Sequence, residues 1–458
     1  MRFWLLYYKI EAMHEYKDNF LTLLATVAIV VLMGALGFVL GSFVLSPKPA
    51  SESKLSYKPK ASYPNGPIKL TYWRTVDGNE VFKAILERWN AIHPSVTIEI
   101  INIPLAEYDK RLADALGAGK MPDMFMLRSD WLPRYKASIK PSPQAIFTVD
   151  DYKKTFANVL AKDLTGNNEV LAVSYGLPTL GLFYNTNKFG SAGITAPPSD
   201  WPALLDANSK LALKASNGLI RSGIALGTEK ISNAPSIMAL LMIQNSAVMT
   251  DTPPTKATFE LPAASGYPSS PRALDFYTSF AKPGKSNYSW NDGFGDSTQA
   301  FALGQTAMII DYPYRYLQIT KQAPNLKFKM AKVPQVNGDY PVNYSEYWAE
   351  AVSKTSGYSD IAWDFYNFMT SYEIMNLYSV PTMKPASRLD LAKAQSQDSI
   401  IGPFAEQVAS AQGYYKGNGA ATDAAFIAMI STALSGFDSA IAVRIASERV
   451  TESIVGSR

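Results

Sequence analysis

Apolar residues recur along this chain with two different periods, and the alternation between them predicts its elements. Ile68 to Trp73 alternates like a strand, and Glu80 to Ile92 places Val81, Phe82, Ile85, Leu86 and Trp89 at helical spacing. Val96 to Ile101 is a second strand, Leu105 to Gly117 a second helix stopped by Gly117 and Gly119, and Met121 to Leu127 holds a third strand. Helical patterning follows over 151–162, then a strand over Leu180 to Tyr184 with a turn at Asn185-Thr186-Asn187. Ser199 or Asp200 caps a helix that begins at Trp201-Pro202, where a proline loses nothing by lacking an N–H. Beyond it the pattern predicts a strand over 222–226, helices over 201–214, 234–249 and 272–281, and an exposed loop over 250–270. Strands alternating with helices predict a parallel-rich α/β sheet.

One stretch breaks both periods. From Asn19 to Pro47 no residue is charged, and Leu21 to Leu45 is almost wholly apolar. Roughly 20 such residues suffice to cross a bilayer. The stretch exceeds the apolar core of a signal peptide, and no small-x-small cleavage site follows Leu45, so an uncleaved anchor over 20–45 is expected. Residues 1–19 then form a short cytoplasmic or interfacial segment, and the Pro-, Ser- and Lys-rich 46–66 forms a semi-extended linker. Arg2, Lys9 and Lys17 on one flank face Lys48, Lys54, Lys58 and Lys60 on the other, so charge bias does not favour placing the large domain outside.

The absence of cysteine excludes disulfides, thiol nucleophiles, thiolate metal sites and a lipid-bearing cysteine. A net charge of +4 with acids and bases interleaved gives no nucleic-acid footprint. Of two histidines, His14 precedes the apolar stretch and His93 stands at a helix end, where capping the last carbonyls is its plain role. No nucleophile elbow is present, and Leu116-Gly117-Ala118-Gly119-Lys120 lacks the spacing of a phosphate loop. Carboxylates four apart, Glu346 with Glu350 or Asp292 with Asp296, leave a glycosidase open but weakly supported, so the chain is read as no enzyme, with no cofactor and no metal.

Three segments carry a resemblance. They are YGLPTLGLFYNTNKFGSAGITAPPSDW from Tyr175, FALGQTAMIIDYPYRY from Phe301, and WAEAVSKTS with the following DIAWDFYNFMTSYE. In this order, with the PDMFML strand and the Pro385-Ala386 loop, the chain resembles the family 1 extracellular solute-binding proteins, the maltose-binding-like receptors of ABC importers, over nearly all of 67–445. The resemblance implies a two-lobed periplasmic-binding-protein-like (type II) α/β fold with a hinge and an interlobe cleft. Lobe 1 is expected over 67–178 and 305–338, and lobe 2 over 179–304 and 339–458.

It also implies ligand contacts at strand ends and crossings, where aromatic faces and polar groups meet a sugar. These are Trp73, Arg74, Asp77, Asp130, Trp131, Thr179, Tyr312 and Tyr314, with Glu229, Trp290, Asp292, Tyr344, Glu346, Tyr347 and Trp348 from looser matches. Trp73 reads equally as core, and Arg74 equally as a partner of Asp77. Thr179 departs from the more polar cluster that many sugar binders carry. The implied protein is a monomer at the cell membrane, single-pass, with its binding domain outside. Its implied partners are a small-molecule ligand, first a sugar, an ABC permease with its ATPase, and the lipid bilayer. A surface sensor or capture scaffold, or a binder of phosphate esters or metal complexes, fits the same residues.

Overall fold

A computed structural model describes residues 56–216 and 218–456. The apolar stretch 20–45 and residues 46–55 of the 46–66 linker lie outside the described residues. Among those described, no helix is long and apolar enough to cross a membrane.

The first sheet is built as its alternation predicts. Strand β1 (Ile68–Arg74), helix α1 (Asn79–Ile92), strand β2 (Val96–Asn102), helix α2 (Leu105–Gly117) and strand β3 (Met124–Arg128) follow in order. β1 lies parallel to β2, with Ile68 opposite Val96, and parallel to β3, with Tyr72 opposite Met124. α1 buries Phe82, Ile85 and Trp89, the i, i+3, i+7 face that its sequence foretells. After the chain crosses, β4 (Gly181–Asn185) opens a second sheet. It includes β5 (Leu213–Ala215), β6 (Gly218–Ile224), β7 (Thr306–Asp311) and β8 (Phe328–Lys332), in the order β8-β4-β7-β6-β5. Helix α3 (Trp201–Leu211) starts where expected: the Asp200 carboxylate accepts the Ala203 N–H at 2.8 Å. Helices α4 (Ala234–Gln244) and α5 (Ser269–Ser279) pack against each other and share this sheet's hydrophobic core, and Gly304, in the left-handed region at φ 70°, ends the helical turn before β7.

The lobe boundaries differ from those expected. β7 and β8 pair with β4, Gly181 opposite Asp311 and Met330 opposite Phe183, so 305–338 belongs to the second sheet and not the first. Strand β9 (Trp348–Val352) runs antiparallel on β3, Ala349 opposite Leu127, and carries α6 (Ser359–Met369) and α7 (Tyr372–Thr382) back to the first sheet. Helices α8 (Gly419–Leu434) and α9 (Ser439–Gly456) return to α4 and α5. Periodicity marks β1 to β4, but for β7, β8 and β9 hydrogen-bond partners more than a hundred residues away decide the sheet. The chain thus crosses three times. Around the crossings Val173 bridges Glu350, Thr179 bridges Ser345, and Asn343-Tyr344 pairs with Ala411-Gln412.

The end of the expected linker is also corrected. Residues 56–63 are docked, not free. The Asp364 carboxylate on α6 accepts from Tyr57 Oη (2.9 Å), Tyr63 Oη (2.6 Å) and the Lys60 N–H (3.0 Å). The His93 ring stacks on Tyr63 at 4.3 Å, and its Nε2 is 2.9 Å from Tyr57 Oη, so this side chain grips the incoming segment while its backbone N–H caps α1.

Candidate functional site

The site grows from the carboxyl end of β3. Four of its five residues are buried, which fixes the strand and leaves Arg128, Ser129, Asp130 and Trp131 at its exit. Arg128 donates to Asp130 through Nε (2.9 Å) and Nη2 (2.6 Å), a bidentate pair. The second crossing brings Tyr344, Ser345 and Glu346 against it, and the third brings Gly413, Tyr414 and Lys416. Lys416 Nζ donates to Glu346 and, at 2.8 Å, to Asp423 in the second turn of α8, while Tyr344 Oη donates to Glu346 at 2.9 Å. The result is a polar nest drawing on the first sheet, the crossings and helix α8, closed around a cavity of about 10 Å³, room for one water molecule.

Electrostatics bind the nest together. Burial opposes the Lys416 ammonium, but Glu346 and Asp423 outweigh it and hold the group protonated. Burial would raise Glu346, yet the charges of Lys416 and Arg128 bring its carboxyl below the usual range. Asp423 moves the other way, raised by burial and by the like charge of Glu346 against the pull of Lys416.

A wider groove of about 770 Å³ adjoins the nest and shares Ser129, Gly413 and Tyr414 with it. One wall is Leu132, Lys136, Asp163 and Leu171; the other is Ile243 and the loop Ala247 to Pro254. Its size is that of a ligand site of drug-like or oligosaccharide dimensions.

The structure gathers some predicted residues and withdraws others. Asp130 and Glu346 lie in the nest. Tyr312 stacks on Tyr314 at 5.6 Å, and the Glu346 charge acts on both phenols, raising them after burial has done so. Trp131 packs edge-on to Trp348 at 5.6 Å; both are half-buried. Trp73 is half-buried too, its carbonyl accepting from Tyr108 Oη at 3.2 Å. Glu229 is half-buried, and the exposed Asp292 pairs with Lys230.

Arg74 is a correction: wholly buried, it donates to Glu350 at 2.8 Å and lies over the Phe82 ring, so its guanidinium serves the first sheet's core. Asp77 accepts from Tyr378 Oη and Lys384 Nζ, each at 2.5 Å, and lies 3.8 Å from the Arg74 guanidinium, so the expected pairing of Arg74 with Asp77 holds as well. Trp290 is likewise core, stacked on Phe294 at 5.0 Å with 1% of its surface exposed. Thr179 is buried at the first crossing, where its hydroxyl accepts from Gln407 at 2.9 Å. Tyr347 is buried and donates to Asp163 at 2.9 Å, which places it behind the groove wall.

Lys416, Asp423, Tyr414 and the 247–254 loop were not foreseen. The one signal was Gly413-Tyr414-Tyr415-Lys416-Gly417, aromatic and cationic residues between glycines just ahead of an apolar helix.

Residues 84–400 match the family described as bacterial extracellular solute-binding protein. A binding protein of Brucella abortus (strain 2308) is 23% identical over 256 residues, 55% of this chain and 59% of that protein, so the match spans little more than half of that curated relative. A maltotriose-binding protein of Pyrococcus abyssi is 24% identical over 147 residues, covering 32% of this chain and 31% of its own. Among solved structures, the cyclic alpha-maltosyl-1,6-maltose binding protein of Arthrobacter globiformis aligns with a TM-score of 0.72 at 20% identity, over 85% of this chain and all (100%) of that one. The sugar-binding protein MalE of Xanthomonas citri gives 0.71 at 16% identity, over 85% and 98%. At such identities the structural likeness establishes the two-lobed α/β fold.

Proposed function

Because this chain belongs to the bacterial extracellular solute-binding protein family, we propose that it captures an oligosaccharide between its two lobes and delivers it to an ABC permease whose ATPase powers import. The observation that carries this reading is the nest itself. Arg128 and Asp130 come from the first sheet, Asp423 from a helix of the second lobe, and Glu346 and Lys416 from the crossings between them. Such a site is complete only when the lobes meet, so a ligand that bridges them favours the closed arrangement by its higher affinity for it. Binding, not catalysis, is the role of these groups: their carboxylates are committed to Arg128 and Lys416. The wide groove receives the sugar rings, with Tyr414 and the 247–254 loop against them, and the apolar stretch 20–45 anchors the domain at the outer face of the membrane.

Thermal unfolding of the full-length protein against a panel of oligosaccharides tests the reading. Ligand at 100 times its Kd adds about 2.7 kcal/mol, a rise of several degrees. A folded protein whose melting temperature no sugar moves would refute it.

A further inference from the structure

The nest holds more negative charge than positive. Two cations, Arg128 and Lys416, face three carboxylates, Asp130, Glu346 and Asp423. Arg128 is committed, since Asp130 takes both its Nε and Nη2 donors. Lys416 is divided between two carboxylates, so one negative charge there has no counterpart. The geometry also sets which partner an incoming molecule meets. The Lys416 side chain is 3% exposed, whereas Glu346 and Asp423 keep 32% and 33%, so the ammonium lies behind and the carboxylates in front.

Closure around a ligand strips water from those two carboxylates. Dehydrating a carboxylate that shares its cation is costly unless compensating charge arrives. A sugar hydroxyl brings a hydrogen bond but no charge, while a protonated amine brings both. We propose that the natural ligand is an amino sugar, an oligosaccharide whose protonated amine reaches Glu346 and Asp423 while its remaining rings occupy the wide groove. This deepens, and rests on, the oligosaccharide-binding reading. Lys136 and Lys162 line the groove and not the nest, so the cations an amine meets at the nest are Arg128 and Lys416, both already paired with carboxylates.

The charge count has a second consequence. A proton is the other available compensator, and Asp423 is where it goes: burial and Glu346 raise its carboxyl, with Lys416, Arg128 and the Tyr344 and Tyr414 phenols as the other charged or titratable groups acting on or acted on by it. An uncharged sugar therefore closes the site with proton uptake, and an amine-bearing one closes it without.

Calorimetric titration of the full chain separates these cases. The probes are a glucosamine trimer with protonated amines and the N-acetylglucosamine trimer of the same skeleton, each measured in two buffers of different ionisation enthalpy. The free amine is expected to bind about tenfold tighter or more, without the buffer-dependent heat that accompanies the acetylated form. Asp423→Asn or Glu346→Gln should bring the two trimers within about threefold of each other. Equal affinity of the two trimers for the unmodified protein overturns the proposal and needs no variant to do so. Binding of a maltooligosaccharide with neither trimer bound also overturns it, while leaving the carbohydrate reading intact. Failure of every sugar removes both.

Discussion

The guanidinium of Arg128, at the end of β3, occupies the space a side chain on Gly419 would need at the start of α8. A Cβ built on Gly419 overlaps Arg128 Nη2 far inside van der Waals contact, and Asp130 crowds it as well. The contact between β3 and α8 leaves no room for a methyl group at Gly419 unless the paired ends of Arg128 and Asp130 move. Gly419→Ala should therefore disfavour the closed arrangement by the ordinary cost of overpacking, about 1–3 kcal/mol, and weaken ligand binding by roughly 5- to 150-fold. Calorimetry on the variant checks this, with an unchanged circular dichroism spectrum showing that each lobe is intact.

Arg74 and Glu350 make the opposite case, a buried pair that stabilises one lobe. Arg74→Met leaves Glu350 buried without its cation, and breaking such a pair costs about 3–5 kcal/mol. The urea midpoint should fall accordingly, while the protein that remains folded binds ligand as before. A large loss of affinity with an unchanged midpoint would return Arg74 to the binding site.

Tyr314 and Trp131 should divide in the same way. Tyr314 is 39% exposed and, among the described residues, its ring stacks on Tyr312 alone, so Tyr314→Ala is expected to change stability by less than about 0.5 kcal/mol while weakening binding by more than about 1 kcal/mol. Trp131 packs on Trp348 and Tyr108, so Trp131→Ala loses both affinity and melting temperature. Paired melting and binding curves for the two variants test the division.

The groove loop carries a pH signature. Asp251 accepts from the Thr255 hydroxyl and N–H and from the Lys256 N–H at 2.9 Å, and these bonds lower its carboxyl to about 2. The folded value lies below the unfolded one of about 3.9, so the stabilisation is complete above about pH 4 and is lost as the pH falls through 2. The melting temperature of the unmodified protein should exceed that of Asp251→Asn at neutral pH, and the gap should close in acid. A gap independent of pH would place the effect elsewhere.

Asp364 is expected to hold the incoming chain. Asp364→Asn weakens charge-assisted bonds from Tyr57, Tyr63 and Lys60 at once, at roughly 1.5–3 kcal/mol for a bond to a charged group. Trypsin should then cleave faster after Lys60, before the rest of the domain is lost, whereas Lys58 is protected by the following Pro59.

The sequence by itself determined the local elements. The face of α1, the Asp200 cap of α3, the left-handed Gly304 and strands β1 to β4 depend on periodicity and on backbone preferences that act within a few residues. It also determined which aromatic and acidic residues stand at strand ends, and so brought Asp130, Trp131, Tyr314 and Glu346 to notice. Tertiary structure alone decided which sheet β7, β8 and β9 join, because strand pairing is a contact between distant segments that leaves no local mark. It alone removed Arg74 and Trp290 to the cores, since an alternating strand end or a loop tryptophan looks the same in sequence whichever way it packs. And it alone joined Lys416 and Asp423 to Glu346: charges pair by distance in space, and Lys416 lies 70 residues from Glu346 along the chain.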